Sequence, residues 1–239
     1  MTRRKNLFNE IPVEEALANF IGRITPERLR RLESVLEKRS RFVVPVMEDL
    51  FQEQNAGAII RTAECCGFQE VGVIELNNAY KLAPGIAKGA QKWVDARIFD
   101  SSLPNAIGSS IEFYRKAGYR LVGACPHSSE YRPDNLPLDR PVALFFGAEK
   151  MGLHKDIKSE MEDFVAIPMR DFTESYNVSV SAAIILQELR QRLERSVESD
   201  YLLPTDEHRA LLLQWVIRSM PNGMEQLRIW KKTLPDHSA

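Results

Sequence analysis

Apolar positions along this chain fall into two kinds of run, and their alternation sets the architecture. Short runs in which nearly every residue is apolar, at residues 42–46, 71–76, 119–125, 142–146 and 164–167, predict strands covered on both faces, as in a mostly parallel sheet. Between them lie stretches with helical spacing: 55–66 closed by Gly67, 101–117 closed by Gly118, 153–161, and a long helix carrying Val178, Ala182, Ile185, Leu186, Leu189 and Leu193 on one wide face. The expected fold is therefore α/β, a mostly parallel sheet with helices on both faces, over residues 41–197. Helical extensions flank it at 1–40 and 198–239.

In the first extension a helix is expected around 13–21, and a second opens at Thr25-Pro26, a good N-cap followed by proline at the first helical position. On that second helix Leu29, Leu32 and Leu36 form an apolar stripe, and Arg28, Arg31, Lys38 and Arg39 a basic stripe beside it. The basic stripe is either a solvated face or a phosphate-binding one. In the second extension Pro204 opens a helix with Leu211, Leu212 and Trp215 on its apolar side, Pro221-Asn222-Gly223 stops it, and a last short helix follows at 227–232. The connection 77–94 lacks periodicity and is a candidate substrate loop.

Composition narrows the class. With 44% apolar residues in 239 the chain can bury a full core, and no window approaches the roughly 20 apolar residues of a membrane span. Arg3-Arg4-Lys5 is not followed by an unbroken apolar run, so a soluble chain of the cytoplasm, with no membrane partner, is expected. Three cysteines, Cys65, Cys66 and Cys125, make neither a disulfide framework nor a zinc pattern, and the histidines lack ligand spacing, so no metal is expected. The net charge of −1 argues against nucleic-acid binding by bulk charge alone, but residues 1–41 hold ten Lys or Arg against six Glu. An RNA partner would first meet its phosphates there.

Candidate chemistry concentrates where strands end. After residues 164–167 the chain passes Pro168, crosses a polar loop and becomes the helix at Val178. At such a strand-to-helix junction free backbone N–H groups point into one crevice, and Glu174, Ser175 and Asn177 would face it. Gly147 to Gly152 has the spacing of a phosphate loop, but Leu153-His154 follows where Lys and Ser/Thr are needed, and no Gly-x-Gly-x-x-Gly is present. Gly147 instead offers a strand end where backbone can approach a flat ligand. Arg61 stands on an otherwise apolar helix, where burial requires a carboxylate or a phosphate partner. Asn55, Ser175 and Asn177 are equally well explained as helix caps or as short uncharged hydrogen-bonding groups at a site.

Three segments taken together, Asn55-Ala56-Gly57-Ala58-Ile59-Ile60-Arg61-Thr62, Ala143 to Gly152, and Ile167 to Ser181, resemble in order and spacing the motifs of the TrmH-type branch of the SPOUT RNA methyltransferases. The resemblance implies a C-terminal deep trefoil knot holding S-adenosylmethionine, with Ala124, Phe146, Gly147, Ile167, Met169 and Tyr176 lining the cofactor pocket. It implies catalytic roles for Arg61, Asn55, Glu149, Ser175 and Asn177, with Arg61 activating a ribose 2'-hydroxyl. A guanidinium does not ordinarily lose its proton, so stabilising the developing alkoxide is the physically easier role. Glu149 would orient Arg61 or bind a polar group of the substrate. RNA contacts are implied at Arg28, Arg31 and Lys92, the last within Gln91-Lys92-Trp93, and a homodimer in which the arginine can serve the partner's site. Family members with the nearest wording act on the D-loop guanosine of tRNA. Asp171 stands where glycine is frequent and Tyr176 where leucine is usual, which bears on loop shape and substrate.

The activity implied is 2'-O-methylation of a ribose in tRNA, with ribosomal RNA or another tRNA position as the alternative. A catalytically silent RNA-binding module would have no need of Arg61, Glu149, Ser175 and Asn177 together.

Overall fold

The computed structural model describes residues 8, 11–50, 52–78, 87–127, 130–149, 151–170, 172–196 and 200–234. Lys150, Asp171 and residues 79–86 of the expected substrate loop lie outside them. The chain divides into two compact units, Ser40–Leu202 and a helical unit made of Arg3–Arg39 with Leu203–Ala239. The two terminal segments, expected as separate extensions, thus share one unit.

Among the described residues the larger unit is built on six strands, β1 (Val43–Glu48), β2 (Glu70–Ile74), β3 (Asp95–Phe99), β4 (Arg120–Ala124), β5 (Val142–Phe146) and β6 (Asp163–Val165). They lie in the order β3-β2-β1-β5-β4-β6, and every pairing is parallel. The pleat explains why the strand sequences are apolar without alternation. Val43 and Met47 of β1 and Val142, Leu144 and Phe146 of β5 pack on one face with Ile59, Ile60 and Ala63 of α3 (Glu53–Cys65) and Ala182, Ile185, Leu186 and Leu189 of α6 (Val178–Arg195). Val44, Val46, Ala143 and Phe145 pack on the other with Ile107, Ile111 and Tyr114 of α4 (Ala106–Lys116) and Ile157 of α5 (Lys155–Lys158). Both faces need apolar residues, so both parities of each strand supply them.

Pro45 in a central strand is unusual, since it cannot donate to a ladder. It is accommodated because β1 pairs with β2 only from Val46 onward, whereas pairing with β5 already begins at Val43.

Four sequence expectations change. Strand β3 was not foreseen, because Asp95 and Arg97 break its apolar run; Arg97 donates to the buried Glu70 at 2.7 and 3.0 Å and lies over the Phe113 ring at 4.0 Å. The helix expected from residue 101 begins only at Ala106, where Asn105 Oδ1 accepts from Gly108 N at 3.0 Å and Pro104 stands before the cap. The helix expected over 153–161 is a single turn, Lys155–Lys158. The basic stripe loses Arg39.

That last change lies in the helical unit, which contains α1 (Val13–Phe20), α2 (Pro26–Leu36), α7 (Thr205–Ser219) and α8 (Gly223–Lys231). Thr25 caps α2 by accepting from Arg28 N at 3.2 Å, as its sequence predicts. Leu32 and Leu36 are buried with Trp215. Arg39, past the end of α2, turns inward to 1% exposure with its guanidinium 5.2 Å from the Trp215 ring centre, so it is a packing residue. Arg28 is half-buried and donates to Ser219 Oγ at 3.3 Å, while Arg31 and Lys38 remain exposed. Among the described residues no helix is long and apolar enough to cross a membrane.

Candidate functional site

Parallel strands bring their carboxyl ends to one edge of the sheet, and the crevice there collects the loops after β4, β5 and β6. It encloses a cavity of about 550 Å³, within the usual range for a small-molecule site. Its walls include Ala124, Phe146, Gly147, Ile167, Met169 and Tyr176, all six residues expected around a cofactor, together with Glu149, Ser175 and Asn177. Phe146, Val165 and Ile185 are almost fully buried and give the cavity an apolar floor, while Glu149, Glu174 and Ser175 bring polar groups to it.

One chain of hydrogen bonds joins the three motif segments. Asn177 Oδ1 caps α6, accepting from Ser179 N at 2.9 Å and Ser179 Oγ at 2.6 Å. This fixes which end of the amide is oxygen, since only oxygen can accept a backbone N–H. Its Nδ2 must then donate, and it does so to Asn55 Oδ1 at 3.1 Å. Asn55 Nδ2 is thereby turned toward an acceptor and donates to Glu149 Oε1 at 2.7 Å, with Gln52 Oε1 at 3.3 Å as a weaker partner. Asn55 is 5% exposed while Glu149 and Asn177 are exposed, so these bonds are part-buried. The cap on α6 and the link to Asn55 are made by the same Asn177 side chain.

The loop after β5 is shaped by glycine. A Cβ on Gly147 would lie inside the backbone of Gly152 and Leu153, so the loop's close approach to itself demands glycine there. Gly152 takes φ +64 and donates to Ala148 O at 2.9 Å, closing the turn. Two acids at the end of β1, unremarked in the sequence, hold this region. Glu48 is 3% exposed and accepts from His154 N at 2.9 and 3.1 Å; burial pushes its carboxyl above the usual range, with the His154 N–H opposing. Asp49, at φ +45, accepts from Leu76 N, Asn77 N and Asn78 N at 3.1, 2.8 and 2.8 Å. Burial works against its charge, but these donors and Asn77 Nδ2 win and hold the carboxyl below the usual range. The only sequence signal for either was an acidic pair at the end of an apolar strand.

Arg61 is placed differently from expectation. It is exposed, so it bears no burial penalty that a partner must offset, and it is not among the residues lining the cavity. Six residues beyond Asn55, it points about 120° round the helix from it. Lys92 is also exposed, in a 3₁₀ turn Ala90–Lys92 whose Ala90 packs in the same core cluster as Ile59, Ile60 and Ala63 of α3. Arg28 and Arg31 belong to the helical unit.

A fully parallel sheet with one small-molecule crevice at its carboxyl edge, closed by residues from three separate loops, is the architecture of an α/β ligand-binding enzyme. The chain belongs to the SpoU rRNA Methylase family, whose profile matches residues 43–187. It is 35% identical over 83% of its length to the tRNA (guanosine(18)-2'-O)-methyltransferase of Borreliella burgdorferi, covering 88% of that protein. The solved TrmH/SpoU tRNA modifying enzyme of A. aeolicus superposes with a TM-score of 0.72 at 25% identity, over 82% of this chain and 98% of that one. The SpoU methyltransferase AviRb of Streptomyces viridochromogenes, solved in complex with AdoMet, shares the fold with a TM-score of 0.56 at 22% identity, over 68% of this chain and 62% of that one.

Proposed function

We propose that the chain is an S-adenosylmethionine-dependent 2'-O-methyltransferase acting on a tRNA ribose, namely the D-loop guanosine at position 18 named for its relatives. The observation that carries this reading is the hydrogen-bond chain from Asn177 through Asn55 to Glu149, which ties three distant segments together beside one cavity. The cavity suits the donor: an apolar floor at Phe146, Val165 and Ile185 for a flat adenine, and carboxylates at Glu149 and Glu174 for a cationic sulfonium and amine.

When bound, S-adenosylmethionine would supply an electrophilic methyl group: its sulfur–methyl bond would break as the ribose 2'-oxygen takes the methyl, leaving the neutral thioether, with the 2'-hydroxyl proton passing to solvent. The residues of this chain have the positioning to do. Asn55 and Asn177, locked to each other, hold Glu149 and the start of α6 in fixed relation, so that little motion remains to be frozen when donor and ribose meet. Ser175, on the lip of the cavity, offers a hydroxyl to the ribose. Arg61 stabilises the developing alkoxide and the neighbouring phosphate as a charged donor, without giving up its own proton.

The exposure of Arg61, and its absence from its own cavity wall, support a homodimer in which it serves the partner's site. Val180 and Ile184, one helical turn apart and exposed on α6, support an apolar contact there. A trefoil knot through the segments after β5 and β6 is supported by the path of the chain. It leaves the edge strand β6 and returns as α6 against α3 and β1, three strands inward. Arg31 and Lys92 contact RNA phosphate, and Arg28 does so with its outer edge. Free thiols at Cys65, Cys66 and Cys125 suit the reducing cytoplasm.

The test is incubation with labelled S-adenosylmethionine and unmodified total tRNA, followed by mapping of the labelled nucleotide. Label on the D-loop guanosine is expected. Label elsewhere would move the target, and a protein that binds the donor but labels no RNA would overturn the enzyme reading.

A further inference from the structure

A ribose 2'-oxygen sits on the carbon next to the one bearing the base. Wherever the acceptor meets the donor cavity, its planar nucleobase therefore comes close to the rim. Proteins that read unstacked RNA bases receive them on aromatic rings.

The loop between two lining residues of this cavity carries such a ring. Phe172 is 100% exposed, three residues after Met169 and two before Glu174, both of which line the cavity. At 3.8 Å per Cα step, its Cα lies within about 8 Å of that of Glu174. Two further large apolar side chains, Met151 at 84% and Tyr176 at 48% exposure, line the same opening. Single exposed apolar residues are ordinary on a protein surface, but here two stand at one mouth bordered by Glu149, Glu174 and Ser175, and Phe172 lies on the loop between two of its lining residues.

We propose that Phe172 is the platform on which the base of the nucleotide being methylated stacks, with Met151 and Tyr176 bordering it. The proposal rests on the ribose-methylation reading, because that reaction brings a base to this rim. It differs from the catalytic roles above: stacking is tolerant of base identity and fixes the acceptor's orientation, while the transfer itself proceeds at the cavity.

The test compares Phe172→Ala, Phe172→Leu and Phe172→Trp. Transfer to tRNA is measured as kcat/KM, donor affinity by calorimetry, and size by sedimentation. A tRNA with 2-aminopurine at the target nucleotide reports stacking through its fluorescence on binding. F172A is expected to lower kcat/KM by about 5- to 150-fold, the range for losing one base–aromatic stack. Donor affinity and sedimentation stay unchanged, and the quenching seen with wild type is lost. F172W restores both signals and F172L neither. An F172L protein equal to wild type would overturn the proposal, as would a change in sedimentation for F172A, which would give the ring to a second copy of the chain. Quenching is read from binding alone, so wild type that quenches without transferring methyl would sink the reaction and leave the platform standing.

Discussion

Exchanging Asn55 for aspartate probes the meeting of the three segments at a single side chain. The native amide nitrogen donates to Glu149 Oε1 at 2.7 Å and the amide oxygen accepts from Asn177 at 3.1 Å. In N55D the shape is unchanged and the second contact survives, but the first becomes two anionic oxygens face to face. Losing a hydrogen bond to a charged group costs about 1.5–3 kcal/mol. The repulsion of two unit charges adds about 1 kcal/mol at 4 Å in bulk water and about 4 kcal/mol in a surface-like dielectric. Glu149 is exposed and can swing away, so the lower figures apply and the total is about 2–4 kcal/mol. N55A forfeits both bonds but adds no charge, and should cost about 2–4 kcal/mol, so pH rather than magnitude tells the two variants apart.

The pH dependence separates the two variants. Two carboxyls sharing one site hold a proton more tightly than either does alone, so N55D should recover stability as pH falls while N55A does not. Urea unfolding at about pH 7.5 and about pH 5.5 reads this directly, with m-values checking that the transition stays two-state. Equal stabilities for N55D and N55A at both pH values would mean that Glu149 does not face Asn55. The convergence of segments would then be lost, and with it the main support for the catalytic reading.

Three further outcomes follow from the same geometry. Gly147→Ala should cost about 1–3 kcal/mol by driving a methyl group into the Gly152–Leu153 backbone, and should weaken donor binding; an unaltered melting curve and calorimetric titration would refute the tight turn. Arg61→Ala should abolish transfer with donor affinity nearly unchanged, since Arg61 is exposed and off the cavity wall; loss of both in activity and binding assays would make it a structural residue. Because burial raises the Glu48 carboxyl above its ordinary 4.5, its contribution to stability is fully present below that value and is lost as pH rises through the folded-state value. Urea unfolding across that window should show a fall with pH in wild type that is missing in Glu48→Gln.

How much of this was legible in sequence depended on whether a signal was local. The strand β5 was readable to the residue, because its neighbours β1 and β4 and the helices on both faces require an apolar side chain at every position. The edge strand β3 was not, because one side of it is open and its Arg97 finds its partner in Glu70, a residue 27 positions away. Arg39 failed for a related reason. A helical wheel continued past Leu36 puts it beside Lys38, but the helix has ended there, and the chain turns its guanidinium onto Trp215.

The site divides in the same way. Short polar residues at strand-to-helix junctions were identifiable because few physical reasons place Ser and Asn there, and capping is one that also builds a ligand crevice. The exposure of Arg61 is not visible from one helix by itself. With Asn55, Ile59, Ile60 and Ala63 facing inward, the remaining face of α3 lies open, and Arg61 occupies it at no cost of desolvation. An exposed cation on a helix whose other face carries the Asn55 bridge thus points outward, while Asn55 ties the inner side to Glu149 and Asn177. That division of labour on one helix is why replacing Asn55 should register first in stability and replacing Arg61 first in transfer.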